Sequence, residues 1–330
     1  MSPPWSAPWF APYRPLLDEV GEDALAGRWP ACVQRLNALA QAQGLRNGNG
    51  RPVRFGVPDA AGAQAYEAHI WSTGEVPTRI DPEGGWHDFF NALVWLAFPR
   101  VKARLNALQA ARIAAEGVGS RRGALRDAAT LFDENGVLLF TSDATLTADL
   151  RAFRWRALFV EGRDRFRERA RVVVFGHALL DKLRAPYKAV CGHAWVMPWP
   201  GGGPGGGEDV AGGDAPAAGP GVAGADRAVA AALGADALRS DAFSPLPLLG
   251  IPGWWSANEA AGFYDDPAVF RPGRRYNRGR SGLDGRWRVL PLEEGPDSTG
   301  QGAGQRPGAA SRKTQGDGKW HREQTAEGES

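Results

Sequence analysis

The clearest pattern in the chain is a run of apolar side chains from Phe89 to Phe98, interrupted only by Asn91. A segment that is apolar nearly all round predicts a buried, central helix, which we place over Trp86–Phe98. Pro99 ends or kinks this helix, because proline lacks an N–H group and clashes with the preceding turn. A second helix is predicted after Pro99, since apolar and polar residues there fall on separate faces.

The rest of the pattern predicts further elements around this helix. Apolar residues at helical spacing predict helices over residues 29–45, 146–159, 163–183 and 226–238. Alternating polar and apolar residues predict a short strand over 51–57, whereas 66–71 fits either a helix or a strand. Residues 130–140 are predicted to form a β-hairpin, because Asn135-Gly136 tolerates the positive φ angles of a tight turn.

These elements predict an α+β fold: a mostly helical single domain over residues 25–275, with a small hairpin or sheet. An irregular segment is expected over 1–24, and an irregular arm rich in Pro and Trp is expected to cover the outside over 246–272. The Gly-rich insertion 200–224 and the tail 276–330 are predicted to be disordered, because they hold too few bulky apolar residues to offset the entropy cost of ordering.

Composition narrows the class of protein. The chain has 43% hydrophobic and 23% charged residues and a net charge of +2, which gives no global attraction to nucleic acid or anionic membranes. No apolar run approaches the roughly 20 residues of a membrane span. The first residues lack a signal-peptide pattern, and two distant cysteines do not make a disulfide framework, so a cytoplasmic protein is expected.

The first candidate site is His87, Asp88 and Asn91 at the start of the central helix. On a helix these side chains lie within one turn of one another. A histidine with an oriented carboxylate is the unit of general base catalysis and also of metal ligation. The alternative is that Asp88 only caps the helix start.

Two further candidates lie downstream. Arg126 and Asp127 precede the predicted hairpin and could supply an anion clamp and a carboxylate, or pair with each other. Asp133-Glu134 is interpreted as ordinary turn chemistry. His177 is the only ionisable residue between Val172 and Leu180, and it acts either in the site or as a hydrogen-bonded core histidine.

The segment 151–171 carries eight arginines with interleaved aromatic residues. Arginine beside aromatic rings suits phosphate contact and base stacking, so an anionic ligand, nucleic acid or protein partner could bind there. The arginines named for this role are Arg151, Arg154, Arg163 and Arg167. The alternative is a solvated helix face.

Several short segments of the sequence together resemble a bacterial family of proteins, the domain-of-unknown-function family numbered 3025. The segments are Tyr66-Glu67, Gly74 to Arg79, His87 to Arg100, Arg126 to Gly136, Phe175 to Leu180 and Leu246 to Trp254. The resemblance covers roughly residues 25–275 and implies one folded unit, and it adds no mechanism.

Two functional hypotheses remain. In the first, the chain is an enzyme, a hydrolase, and its candidate catalytic residues His87, Asp88, Asn91, Arg126, Asp127 and His177 meet in one pocket. In the second, it is a binding protein without chemistry that uses the arginines of 151–171. The sequence holds no phosphate loop, dinucleotide fingerprint or zinc-ligand spacing, so cofactor and metal stay undetermined.

Overall fold

The computed structural model describes residues 4–57, 65–79, 81, 85–116, 123–199 and 221–273. Within these ranges, the helices are α1 (Arg14–Leu25), α2 (Trp29–Ala42), α3 (Tyr66–Thr73), α4 (Gly85–Ala97), α5 (Pro99–Glu116), α6 (Ala124–Asn135), α7 (Ala144–Arg151), α8 (Arg163–Arg169), α9 (His177–Lys182) and α10 (Val222–Ala232). The strands are β1 (Arg54–Gly56), β2 (Glu75–Pro77), β3 (Gly136–Phe140), β4 (Arg171–Val174), β5 (Cys191–Met197) and β6 (Phe243–Pro247).

Helix α4 forms the centre of the core, as its apolar run predicts. Every residue from Phe89 to Leu96 is buried. The helix lies against α1, α2, α5 and α9. Its Phe90 ring stacks on Phe10 from the N-terminal segment, at 5.8 Å between ring centroids. The polar residues at the start of α4 are therefore fixed by a rigid core.

The main sheet has four strands in the order β4-β3-β5-β6. The inner pair β3 and β5 is parallel, and each edge strand is antiparallel to its neighbour. All five residues of β3 are buried. A separate parallel pair joins β1 to β2. The predicted α+β fold, mostly helical with a small sheet, is confirmed.

The predicted hairpin over residues 130–140 is wrong. Helix α6 continues to Asn135, and β3 begins at the next residue. Gly136 has an extended backbone with φ −69°, whereas a two-residue hairpin turn needs positive φ at both central residues. The helix prevails because Leu125, Ala128, Ala129 and Phe132 recur at helical spacing and pack against the core.

The two helices predicted over 146–159 and 163–183 are each divided. Phe153 has φ +57°, which ends α7, and a short π-helix follows at Ala157–Glu161. In the second segment, strand β4 separates α8 from α9. Its Val172, Val173 and Val174 pair with β3, and β-branched side chains favour strands.

The ends of the domain are more ordered than the sequence suggests. The segment expected to be irregular over residues 1–24 contains α1, and its Trp5, Phe10 and Tyr13 are buried in the core. The 246–272 arm is irregular beyond β6, but Leu248 and Ile251 are also buried. The tail prediction lies outside the described residues, as does most of the Gly-rich insertion.

The described residues all fall in one compact unit, residues 1–274. Residues 275–330 lie outside the described part of the chain. Within the described part of the chain, no helix combines the length and the apolar character that crossing a membrane requires.

Candidate active site

Three helices bring two histidines and a glutamate together. His87 lies in the first turn of α4, Glu134 in the last turn of α6, and His177 is the first residue of α9. Gly176 makes the approach of α9 to α6 possible, because a Cβ atom there would lie 2.5 Å from both Asn135 N and Glu134 O. His177 is thus held beside Glu134 by a backbone contact that only glycine allows.

Both imidazole rings present Nε2 to the same carboxylate oxygen. His87 Nε2 lies 3.4 Å from Glu134 Oε2, and His177 Nε2 lies 3.6 Å from that atom. The two rings are edge-to-face with centroids 4.5 Å apart. Glu134 Oε2 is therefore the point on which both histidines converge.

The other nitrogen of each ring faces an aspartate that is paired with a cation. His87 Nδ1 lies 3.0 Å from Asp88 Oδ1, and Arg79 Nε donates to Asp88 Oδ2 at 2.9 Å. His177 Nδ1 lies 3.7 Å from Asp133 Oδ2. Lys102 Nζ donates to Asp133 Oδ1 at 2.6 Å. The two histidines thus have matching surroundings on opposite sides of Glu134.

The polar chain continues into the protein beyond Lys102. The ammonium group of Lys102 also donates to Asn91 Oδ1 at 2.9 Å, and Asn91 Nδ2 donates to the Tyr66 hydroxyl at 2.9 Å. Lys102 and Asn91 are buried. A buried ammonium group needs both a counter-charge and further acceptors, and this pair of contacts supplies them.

A second buried polar group lies next to this chain, on α3 and α5. Asn106 Nδ2 and Gln109 Nε2 donate to the carboxylate of Glu67 at 2.7 and 3.0 Å. Burial and the nearby charge of Asp133 raise the pKa of Glu67 above its ordinary value. The polar face of α5 is therefore turned inward, toward α3.

The environment of His87 favours its protonated form. Hydrogen bonds to Asp88 and then to Glu134 raise the pKa of His87 to about 9, against the opposing effect of burial. Burial alone would raise the pKa of Asp88, but hydrogen bonds from Arg79 and His87 hold it well below its usual value. The pair is a cation beside a carboxylate at neutral pH.

The opposite holds for His177. Burial lowers the pKa of His177 to about 4, more than the charges of Asp133 and Glu134 can offset. Burial acts to raise the pKa of Glu134, but the hydrogen bond from His87 and the charges of His87 and Lys102 keep it lowered. At neutral pH the centre holds a neutral His177, a charged His87 and an ionised Glu134.

The centre is open to water on one side. The side chains of His87 and Glu134 are 34% and 33% exposed, while that of His177 is 5% exposed. A cavity of about 510 Å³ lies elsewhere, between α7 and α8. The centre is a solvent-reachable site in which His177 is buried.

Four of the six candidate catalytic residues lie in this polar chain, namely His87, Asp88, Asn91 and His177. Asp88 bonds to Arg79 and His87. Asp127 is exposed in the first turn of α6. Arg126 lies about 10 Å, or two helical turns, along α6 from Asp133, and its buried Nε has no hydrogen-bond partner within the described part of the chain.

The structure adds residues that the sequence reasoning placed elsewhere. Asp133 and Glu134 were assigned to a turn because Asn135-Gly136 follows them, and Lys102 to a separate polar helix face. A helical reading of 124–135 would have placed Asp133 on the same face as Ala129, toward the core. Arg79 had no signal of its own, since its role depends on a contact across nine residues.

Several of the eight arginines of 151–171 form ion pairs with acidic residues. Arg154 pairs with Asp149, Arg156 with Asp265, and Arg163 and Arg167 both with Glu259. Ion pairs with neighbouring acids reduce the charge available for an anionic partner. The binding hypothesis therefore gains no support from this surface.

The chemistry open to the centre follows from its groups. A carboxylate between two imidazoles can take a proton from a water molecule, and the same three side chains can bind a metal ion. Nucleophilic catalysis through cysteine is not available among these residues, since Cys32 and Cys191 lie elsewhere. Both open routes activate water.

Comparison with known proteins gives a family and nothing closer. No curated protein and no solved structure matches the chain. The model of the family described as "Protein of unknown function (DUF3025)" matches residues 53–274, which include every residue of the centre. The chain belongs to this family.

Proposed function

We propose that this chain is an enzyme, a hydrolase, whose reaction takes place at His87, Glu134 and His177. The observation that carries the proposal is the convergence of two imidazole Nε2 atoms on one carboxylate oxygen at a solvent-reachable edge. Such convergence brings together groups that activate water. Hydrolysis needs no other co-substrate.

In the reaction, the oxygen of a water molecule forms a bond to the carbonyl carbon or phosphorus atom of the substrate. The bond to the leaving group breaks, one water proton passes to the centre, and the leaving group departs with a proton. Asp88 and Asp133 orient the histidines, and Arg79 and Lys102 hold the two aspartates in place. Burial of Asp133, Lys102 and His177 keeps these groups fixed during turnover.

A comparison of three proteins tests the proposal. Wild type, Glu134→Gln and His193→Gln would be assayed on chromogenic carboxylic esters, phosphomonoesters and phosphodiesters. His193 is a half-buried histidine on β5 outside the centre, so its replacement is a matched control. We expect wild type and His193→Gln to hydrolyse a member of the panel, and Glu134→Gln to lose at least about 100-fold in rate.

Equal rates in all three proteins would place any activity outside the centre and contradict the proposal.

We further propose a cytoplasmic location, because both cysteines are free, which suits a reducing compartment.

A further inference from the structure

We propose that His87, Glu134 and His177 are the protein ligands of a divalent transition-metal ion such as Zn²⁺. This inference deepens the proposed function, on which it rests for its location, by naming the cofactor of the same centre. It stands on distances, on an unpartnered buried imidazole and on the surroundings of the ligands.

The distances fit a small coordination sphere. One ligand atom from each of the three side chains lies within 4.8 Å of the other two. Zinc binds imidazole nitrogen and carboxylate oxygen at about 2.0–2.2 Å, so two tetrahedral ligand atoms lie roughly 3.3–3.5 Å apart. The measured separations from Glu134 Oε2 are 3.4 Å to His87 Nε2 and 3.6 Å to His177 Nε2.

His177 is a buried imidazole whose two ring nitrogens face two different carboxylates. The residue is buried, and its Nδ1 has no hydrogen-bond partner among the described residues. Nδ1 lies 3.7 Å from Asp133 Oδ2, and Nε2 lies 3.6 Å from Glu134 Oε2, both beyond a normal hydrogen bond. Buried polar groups in native proteins are satisfied in the great majority of cases. A metal ion on Nε2 would leave the proton of a neutral His177 on Nδ1, which faces Asp133 Oδ2 at 3.7 Å.

The residues around the ligands are those that a metal site uses. Histidine ligands nearly always donate their second N–H group to a carboxylate or carbonyl, which fixes the ring and its tautomer. Asp88 faces Nδ1 of His87, and Asp133 faces Nδ1 of His177. Each of these carboxylates is in turn held by a cation, Asp88 by Arg79 and Asp133 by Lys102.

The donor set selects the kind of ion. Two imidazoles and one carboxylate suit Zn²⁺ and its neighbours in the first transition row, whereas Mg²⁺ and Ca²⁺ take oxygen ligands. Three protein ligands leave a position for water on the exposed side, where His87 and Glu134 face solvent. Zinc in such a site lowers the pKa of its bound water to about 7, which supplies the nucleophile for hydrolysis.

The test is a zinc titration of the untagged full chain after removal of bound metal with a chelator. Affinity would be measured against a chromophoric zinc indicator for wild type, His177→Gln, Glu134→Gln and the control His193→Gln. We expect one equivalent bound by wild type and His193→Gln. For the two ligand variants we expect the zinc dissociation constant to rise by more than about 100-fold. Loss of a residue that only hydrogen-bonds to a ligand already weakens metal binding by up to about 100-fold.

Glu134 is partly exposed, so Glu134→Gln decides the matter if His177→Gln does not fold. Wild-type affinity in Glu134→Gln, an equal loss in His193→Gln, or no zinc binding by wild type would each overturn the inference. Two outcomes distinguish a failure of the metal inference from a failure of the proposed function. Zinc bound at the centre without hydrolysis overturns the function alone, and undiminished hydrolysis after metal removal overturns the metal alone.

Discussion

Lys102 shows how strongly single side chains are coupled around the centre. Its ammonium group is buried and is balanced by Asp133, with Asn91 as a second acceptor. Removal of one partner of a buried ion pair leaves the other charge without compensation. Lys102 therefore stabilises both the fold and the position of Asp133 beside His177.

We expect Lys102→Met to destabilise the protein by about 3–5 kcal/mol in urea unfolding, because Asp133 would stay buried without its counter-charge. The double variant Lys102→Met/Asp133→Asn should lose less than the sum of the two single variants. Lys188→Met is the control, since Lys188 and Asp266 form a partly exposed pair at 2.9 Å. It should cost about 1 kcal/mol or less. Equal losses at both lysines would contradict the coupling.

The shifted pKa of His177 predicts a pH dependence of stability in the metal-free protein. Its pKa is about 4 in the folded state and about 6.5 when unfolded. As the pH falls, His177 therefore takes up a proton in the unfolded state before it does so in the folded state. The contribution of His177 to stability is fully present above pH 6.5. As the pH falls from 6.5 toward 4, this contribution is lost.

Thermal unfolding of chelator-treated protein between pH 7 and 4 measures the effect. The midpoint of wild type should fall more steeply than that of His177→Gln across this window. Parallel curves would show that His177 is not neutral in the folded state. His87 has the opposite sign, since its pKa is raised to about 9, so its contribution is lost as pH rises from 6.5 through 9.

The side chains of the centre differ in how far the sequence indicates them. His87, Asp88 and His177 stand out because each is polar beside an apolar run. Asp133 and Glu134 do not stand out in the sequence. The pair Asn135-Gly136 that follows them is typical of a tight turn, and this local signal outweighs the helical pattern of the preceding residues. Arg79 and Lys102 depend on contacts between separate helices and loops, which no local pattern contains.

The packing of α9 on α6 sets the geometry of the centre. Gly176 lies directly against the backbone of Glu134 and Asn135, and its N–H donates to Gly136 O at 2.8 Å. The atoms that a Cβ would meet belong to backbone and cannot move aside as a flexible side chain could. The distance between His177 and Glu134 is therefore controlled by the size of residue 176.

We expect Gly176→Ala to destabilise the protein by about 1–3 kcal/mol and to weaken zinc binding, because α9 must move away from α6. Gly234→Ala is the matched control. Gly234 follows α10 without a left-handed φ, and among the described residues nothing lies within 4 Å of its added Cβ. Its stability should change by less than about 0.5 kcal/mol. Wild-type stability and zinc affinity in Gly176→Ala would contradict the proposed packing constraint.

Helices and strands were predictable where one local signal dominated. The apolar run of α4 has no competing interpretation, so its place in the core follows from the sequence. Strand β4 was missed because Val172 to Val174 is too short to show alternation, and it becomes a strand by pairing with β3. The sequence separates the polar and apolar faces of α5 correctly. It does not show that the polar face is buried, because burial depends on the contact with Glu67 on α3.

For the protein as a whole, the order of strands lay beyond local reasoning. Strands β3 and β5 pair in parallel although some fifty residues separate them, with β4 and α9 between. The class of fold depends on composition and periodicity, and the sequence shows both. The pairing depends on tertiary packing, which is why it could not be predicted.

The rate at which a buried thiol is labelled reports on global unfolding of the domain. Cys32 is buried in α2, and burial raises its pKa to about 12, whereas Cys191 is exposed. In native Cys191→Ser at pH 8, we expect an aromatic disulfide reagent to label Cys32 only as fast as the domain unfolds, since a protonated buried thiol does not react. Cys32→Ser should label faster through Cys191, which is exposed, although burial of the Cys191 thiol also raises its pKa. Equal rates would show that α2 opens independently of the core.

A crystal structure of the full chain grown with Zn²⁺, with diffraction recorded at the zinc absorption edge, would locate the ion relative to the three ligands. We predict one strong anomalous peak bounded by Nε2 of His87, Nε2 of His177 and a carboxylate oxygen of Glu134, at about 2.0–2.2 Å from each. A structure in which these side chains point apart, with zinc bound elsewhere or absent, would contradict the assignment of this centre.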